Sequence, residues 1–132
     1  MNDVRRTILV VDDDSVLRRL LTTVLKLRGY QVIAVEDGVD AMRMMRDRSG
    51  GFDLVLADII MPKMDGWSLL GHMRAEFPDV PIIMLTMIED AKPTMERAER
   101  MGAKACLFKP IDPASLMSGV DKVLSEATLP PA

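Results

Sequence analysis

The sequence has little cysteine and histidine and no long apolar run. A single Cys106 and a single His72 exclude an internal disulfide and the Cys-rich or His-rich kinds of metal site. No apolar run approaches the ~18 residues of a membrane span, and the first residues contain no apolar signal segment. We therefore expect a cytoplasmic protein without membrane insertion.

The charge balance is slightly acidic, with 17 Lys and Arg residues against 20 Asp and Glu residues and a net charge of −3. Neither a basic excess nor a basic block is present, which argues against direct binding to nucleic acid or to an anionic membrane. The length of 132 residues suits one domain with its own core. We expect that domain to span residues 1–126, and we expect Ala127–Ala132 to be a short tail or the start of a linker.

Short apolar runs alternate with segments of helical periodicity. The runs predict five buried strands: Ile8–Val11, Gln31–Val35, Leu54–Ala57, Ile82–Leu85 and Ala105–Phe108. One helix is predicted after the first strand with Ser15 as N-cap, and another at the C-terminal end with Asp112 as N-cap and Pro113 as first residue. Weaker helical patterns cover Val39–Arg46, Ser68–Glu76 and Asp90–Met101. This (βα)₅ order predicts an α/β fold with an open, doubly wound, five-stranded parallel sheet.

Polar residues directly follow four of the predicted strands. They are Asp12, Asp13 and Asp14 after the first strand, Asp58 after the third, Thr86 after the fourth and Lys109 after the fifth. Ligands of open α/β sheets bind at this edge, and clustered carboxylates repel one another unless a cation joins them. Hard oxygen ligands indicate Mg²⁺ or Mn²⁺, and a lysine beside the metal indicates an additional anion such as a phosphoryl group.

Each of these residues also has a purely structural interpretation. Asp12–Asp14 could cap a helix, Asp58 and Thr86 could be polar strand ends, and Lys109-Pro110 could form a turn. Their joint placement on successive strand ends favours a common site, in which a carboxylate attacks the phosphoryl group.

The order and spacing of these motifs resemble the response-regulator receiver domain of two-component signalling, as in chemotaxis regulators. The matching segments are Ile8–Asp14, Asp58 with Met61–Gly66, Leu85-Thr86 and Phe108–Pro110. The resemblance implies a flavodoxin-like strand order 2-1-3-4-5. It also implies a sensor histidine kinase or phosphotransfer protein as donor, and a partner-binding surface on the fourth helix, fifth strand and fifth helix.

The same resemblance assigns roles to individual residues. Asp58 would be the phosphoacceptor, and Mg²⁺ would be bound by Asp12, Asp13, Asp58 and the main-chain carbonyl of Ile60. Thr86 and Lys109 would contact the phosphoryl oxygens and switch the domain, and the Lys109–Pro110 peptide bond would be cis.

The sequence departs from the family pattern in two respects. Cys106 stands where the family usually has an aromatic switch residue, so activation by aromatic rotation is in doubt, and we interpret Cys106 as a small buried strand residue. Ile60 and Ile88 lie two residues beyond Asp58 and Thr86, where neither side chain can orient an attacking water. We therefore expect slow self-dephosphorylation.

The leading hypothesis is a phosphorylation-controlled signalling receiver rather than an enzyme, with a stand-alone regulator favoured over a piece of a longer one. The alternative is a Mg²⁺-dependent phosphatase or phosphotransferase that forms an aspartyl phosphate and acts on small molecules. Such an enzyme needs a second carboxylate two residues after the nucleophile, where this sequence has Ile60. A nucleotide-binding flavodoxin-like protein ranks third, because no glycine-rich loop follows the first strand.

Overall fold

The computed structural model describes residues 5–87 and 91–128, in which five strands alternate with five helices. The elements are β1 (Thr7–Val11), α1 (Ser15–Leu27), β2 (Gln31–Val35), α2 (Gly38–Asp47), β3 (Leu54–Asp58), α3 (Gly66–Glu76), β4 (Ile82–Met87), α4 (Ala91–Arg100), β5 (Ala105–Lys109) and α5 (Pro113–Thr128). No helix in these two segments is both long and apolar enough to cross a membrane.

The five strands form one parallel sheet in the order β2-β1-β3-β4-β5, which confirms the predicted α/β fold and strand order. Side chains from α1 and α5 pack on one face of the sheet, and side chains from α2, α3 and α4 pack on the other. The chain changes direction across the sheet between β1 and β3. A crevice therefore opens at the carboxyl ends of these two central strands.

Burial follows the position of each strand in the sheet. All residues of β1 and β3 are buried, since helices cover both faces of these central strands. The edge strands β2 and β5 are more exposed, and every residue of β5 is half-buried. The continuous apolar runs in the sequence thus mark the central strands most clearly.

Several strands are longer than predicted. Asp58 and Lys109 are the last residues of β3 and β5, and Thr86 lies inside β4. The sheet register explains the extension, because Thr86 is paired with Phe108 and Met87 with Lys109. The polar residues therefore belong to the strand ends themselves, where the sheet holds their backbone.

The helix ends differ from the sequence prediction where a neighbouring aspartate provides the cap. Asp14, not Ser15, caps α1, since its side chain accepts hydrogen bonds from the Val16 and Leu17 amides. Asp37 and Asp65 cap α2 and α3 in the same way and start both helices earlier than predicted. At α5 the prediction is confirmed, because Asp112 Oδ1 accepts a hydrogen bond of 2.6 Å from the Ser115 amide.

Two further boundaries differ. Helix α4 covers Ala91–Arg100, whereas the sequence predicted Asp90–Met101, and Ile88 and Asp90 lie outside the described residues. Helix α5 ends at Thr128, which is two residues inside the segment predicted as a tail. The rest of that segment also lies outside the described residues.

Candidate functional site

The carboxyl edge of the sheet brings together the acidic residues that the sequence singled out. Asp12 directly follows β1, and Asp58 ends the neighbouring β3. One carboxylate oxygen from each of Asp12, Asp13 and Asp58 lies within 4.8 Å of the others. Asp12 and Asp58 are buried, whereas Asp13 is exposed. The cluster is thus a pocket with two deep carboxylates and one at its rim.

Lys109 reaches this cluster from the end of β5, two strands away from β3. Its Nζ donates a hydrogen bond of 2.9 Å to Asp58 Oδ2 and lies 3.3 Å from Asp12 Oδ2. Burial alone would lower the pKa of Lys109, but the hydrogen bond to Asp58 and the charges of Asp12 and Asp58 raise it overall. Lys109 is therefore an ammonium ion at neutral pH and binds both buried carboxylates.

Asp12 is held rigidly, but one of its oxygens has no hydrogen bond. Its Oδ1 accepts a hydrogen bond of 2.8 Å from the Asp14 amide, and Arg18 Nη1 donates to its main-chain oxygen at 2.7 Å. Its Oδ2 is buried and accepts no hydrogen bond within the described part of the chain, but it forms an ion pair with the Lys109 ammonium at 3.3 Å. A carboxylate oxygen can accept more than one partner, so Oδ2 can also bind a metal ion.

The pKa of Asp12 reflects this burial. Removal of the carboxylate from water raises its pKa, and the negative charge of Asp58 adds to the effect. The hydrogen bond from the Asp14 amide and the charge of Lys109 act in the opposite direction but do not cancel it. A second positive charge at the pocket would stabilise the ionised form.

The donor set fits a magnesium ion. Three carboxylates offer hard oxygen ligands, and these suit Mg²⁺ or Mn²⁺ rather than a metal that prefers sulfur or nitrogen. The buried Asp12 Oδ2, which accepts no hydrogen bond among the described residues, supports the same conclusion. Ile60 lies beside the cluster, since its amide donates to Asp58 Oδ1 at 3.4 Å, while its side chain is 72% exposed. The role of its carbonyl stays a prediction.

Thr86 and Pro110 border the pocket. Thr86 is buried in β4, one residue beyond the register partner of Asp58, and its hydroxyl donates to the Met87 carbonyl at 3.3 Å. The hydroxyl is thus engaged with the backbone and not with a carboxylate. The Lys109–Pro110 peptide bond is cis.

Cys106 lies three residues before Lys109, the last residue of β5, and faces the same side as Met84, its register partner. It is half-buried, and burial raises its pKa to about 11, so the thiol is neutral at physiological pH. It lines a groove of about 250 Å³ beside α4, together with Met95 and Ala98. The small Cys106 side chain therefore leaves space on this surface, at the position where the aromatic switch residue of the resembled family would lie.

The sequence analysis did not predict the contacts between the pocket and the residues that surround it. Lys63 Nζ lies 3.5 Å from the buried Asp37 carboxylate and connects the loop after β3 to the start of α2. The hydrogen bond from the Asp40 amide, more than Lys63, lowers the pKa of Asp37. The Arg18 hydrogen bond to Asp12 was equally unforeseen. The only feature of the sequence that could have indicated this hydrogen bond is a basic residue one turn into α1.

Comparison with known proteins gives one consistent result. The sequence model of the response regulator receiver domain matches residues 8–121. A probable transcriptional regulator ycf27 from Porphyridium aerugineum is 37% identical over 133 residues, which cover 96% of this chain and 54% of that protein. The two-component response regulator ARR11 from Arabidopsis thaliana is 38% identical over 104 residues, which cover 79% of this chain and 20% of that protein.

Solved structures agree with the sequence comparison. A CheY-like receiver domain protein from Methanospirillum hungatei JF-1 superposes with a TM-score of 0.84 at 27% identity, covering 93% of this chain and 96% of the other. A putative response regulator from Chloroflexus aurantiacus J-10-fl gives a TM-score of 0.84 at 29% identity, covering 92% and 98%. The chain spans about half the length, or less, of the curated relatives it matches. With the family model matched over most of its length, the chain belongs to the response regulator receiver domains of two-component signalling.

Proposed function

We propose that this receiver accepts a phosphoryl group on Asp58, with Mg²⁺ bound by Asp12, Asp13 and Asp58. The observation that carries the proposal is the arrangement around Asp58. The carboxylate ends β3, is bound by the Lys109 ammonium at 2.9 Å, and shares its pocket with a buried Asp12 oxygen that accepts no hydrogen bond from any described residue. The main-chain carbonyl of Ile60 would complete the protein ligands. Mn²⁺ has the same ligand preference and should substitute.

The donor is proposed to be a phosphohistidine on a sensor histidine kinase or a phosphotransfer protein. An oxygen of Asp58 attacks the phosphorus in line, the P–N bond breaks, and its electron pair remains on the imidazole nitrogen. The product is an aspartyl phosphate. Bound Mg²⁺ would neutralise charge on the phosphoryl oxygens during the transfer.

Lys109 and Thr86 would hold the transferred group. Lys109 already lies at the acceptor oxygen, so its Nζ needs only a small shift to donate to a phosphoryl oxygen. The Thr86 hydroxyl must leave the Met87 carbonyl to do the same. We therefore expect the Thr86 side chain to rotate on phosphorylation, and the surface of α4, β5 and α5 is the proposed partner-binding surface that this change affects.

Exposed apolar residues stand close in sequence to the pocket residues and form the rim proposed here. Val16 is the second residue of α1 and is 77% exposed, Ile60 lies two residues after Asp58, and Met87 ends β4 and is 62% exposed. A donor that delivers phosphohistidine to Asp58 must cover this rim, and apolar contacts on it would contribute to binding. We propose that the donor docks here, whereas the downstream partner is a different protein.

The receiver is proposed to promote only its own phosphorylation and dephosphorylation, in the cytoplasm. The exposed and aliphatic Ile60 cannot serve as the acid or base that a phosphatase of small molecules needs. Whether the receiver acts by itself, as the sequence analysis favoured, or in a longer regulator stays a prediction. Direct binding to nucleic acid is not proposed for this domain, because its net charge is −3.

Phosphoramidate, whose P–N bond resembles that of phosphohistidine, tests this function. With Mg²⁺ it should transfer one phosphoryl group to each wild-type chain and none to Asp58→Asn. The same wild-type protein should not turn over p-nitrophenyl phosphate. Continuous turnover of p-nitrophenyl phosphate that depends on Asp58 would favour the small-molecule enzyme and contradict the receiver function.

A further inference from the structure

Helix α4 contacts the beginning of α3 through a guanidinium that lies over an indole ring. Arg97 Cζ is 4.1 Å from the centroid of the Trp67 ring, within the distance at which a cation is attracted to an aromatic face. Trp67 is half-buried and packs against the core on this side of the sheet, whereas Arg97 is exposed. The contact therefore ties α4 to a ring that the core holds in place.

Helix α4 has few other anchors. Ala98 is its one buried residue among those described, and Met95 is 47% exposed. A single small buried side chain provides little apolar burial, and weakly anchored elements are those that move at small cost. The stack of Arg97 on Trp67 is therefore one of the few side-chain contacts described for α4 that can fix its position.

Trp67 is in turn fixed to the backbone of the proposed phosphoacceptor. The amide of the preceding Gly66 donates to the Ile59 carbonyl at 2.7 Å. A Cβ atom on Gly66 would lie only 2.3 Å from the Asp58 carbonyl oxygen, so the first turn of α3 rests directly on the end of β3. Close-packed segments of this kind transmit displacements, and a shift at Asp58 therefore moves the Trp67 ring.

We propose that the Trp67–Arg97 stack holds α4 in its unphosphorylated position and is weakened when Asp58 carries a phosphoryl group. The inference rests on the proposed phosphorylation of Asp58. In this proposal Trp67, at the start of α3, is the aromatic residue that couples phosphorylation to α4. The family usually has an aromatic switch residue on β5, at the position that Cys106 occupies here. Because the stack favours the resting state, its removal must increase the affinity for a phosphoryl mimic.

The test compares Arg97→Met with Arg100→Met. Both variants remove one positive charge from α4 and retain an unbranched side chain with good helix propensity, but only Arg97 stacks on Trp67. Beryllofluoride with Mg²⁺ is titrated into each protein, and the bound species is measured by fluorine NMR. Arg97→Met should bind beryllofluoride ~2- to 5-fold more tightly than wild type, given the strength of exposed cation–π contacts, and Arg100→Met should match wild type.

Hydrogen exchange of α4 provides a second readout without the mimic. In metal-free protein, α4 amides should exchange faster in Arg97→Met than in Arg100→Met. Two results would overturn the role of the stack: equal beryllofluoride affinity and equal α4 exchange in the two variants, or weaker beryllofluoride binding by Arg97→Met. In either case, binding of beryllofluoride by wild type would still support the receiver function. A wild-type protein that does not bind beryllofluoride would refute the proposed function, and this inference with it.

Discussion

Replacement of Asp12 by Asn should stabilise the metal-free protein while it abolishes Mg²⁺ binding. Asp12 is fully buried, and its Oδ2 has no hydrogen bond among the described residues. An Asn side chain keeps an oxygen for the 2.8 Å hydrogen bond from the Asp14 amide. The substitution therefore removes a buried charge and retains the contact that orients the loop after β1.

The size of the effect follows from three electrostatic contributions. Attraction between Asp12 and Lys109 at 3.3 Å is ~5 kcal/mol at an effective dielectric constant of about 20. Repulsion from Asp58, whose oxygen lies within 4.8 Å, is at least ~3.5 kcal/mol on the same scale. At most ~1.5 kcal/mol of attraction therefore remains, which is smaller than the cost of burying a carboxylate, several kcal/mol. We expect a net gain of ~1–2 kcal/mol in the free energy of unfolding.

The dependence on pH has a defined sign. Because burial raises the pKa of Asp12 above its ordinary value of 3.8, the folded state keeps a proton that the unfolded state has already released. The stability contribution of Asp12 in the metal-free protein therefore falls as the pH rises from the unfolded pKa through the folded one. The Asn variant lacks this fall, so its advantage over wild type should be present at neutral pH and vanish in acid.

Thermal unfolding by circular dichroism measures the effect, in EDTA and in excess Mg²⁺. At neutral pH in EDTA, Asp12→Asn should unfold ~3–8 °C above wild type. Added Mg²⁺ should raise the midpoint of wild type and leave the variant unchanged. Asp14→Asn is the matched control, since it removes an exposed charge two residues away and Asn also caps helices well. A lower midpoint for Asp12→Asn in EDTA would refute the claim that burial dominates at this site.

Three further predictions concern the pocket and its surroundings. Lys109→Met should bind Mg²⁺ at least as tightly as wild type in a calorimetric titration, because a competing ammonium is removed. In this variant beryllofluoride should no longer alter hydrogen exchange on α4, β5 and α5. Loss of Mg²⁺ binding would contradict the prediction. Cys106→Ala should leave the beryllofluoride response of that surface intact and Thr86→Ala should blunt it, and the reverse pattern would assign the switch to the thiol. Gly66→Ala should lower the free energy of unfolding, measured in urea, by ~3 kcal/mol, because the new Cβ would meet the Asp58 carbonyl oxygen. In Gly71→Ala the new Cβ meets nothing within 4 Å, so this variant should raise the free energy of unfolding by ~0.5–1 kcal/mol. Equal effects would show that the start of α3 does not pack against the end of β3.

The sheet and the acidic cluster could be predicted because both follow from local patterns. Buried parallel strands appear as continuous apolar runs, and parallel strands place their carboxyl ends at one edge. Asp12, Asp58 and Lys109 therefore had to lie near one another once the order of elements was known. The sequence alone did not show that Thr86 is part of β4, since that depends on its pairing with Phe108 in the edge strand.

Other features depend on distances that no local pattern encodes. Asp14 and Ser15 are both good cap residues, and only the exact start of α1 decides between them. Trp67 and Arg97 lie on different helices, so their contact is visible only after α3 and α4 have packed on the same face of the sheet. Asp12 Oδ2 forms an ion pair with Lys109 but accepts no hydrogen bond among the described residues, and this likewise results from the three-dimensional arrangement of Lys109 and the Asp14 amide.

Intact-protein mass spectrometry after incubation with acetyl phosphate tests the central claim most directly. Wild type should gain the mass of one phosphoryl group in the presence of Mg²⁺ and none in EDTA, and Asp58→Asn should gain none in either condition. Asp53→Asn is a useful control, since Asp53 is an exposed carboxylate that accepts a hydrogen bond from the Thr7 amide at the opposite edge of the sheet. Phosphorylation that persists in Asp58→Asn, or that proceeds in wild type without a divalent cation, would contradict the assignment of Asp58 as the metal-dependent phosphoacceptor.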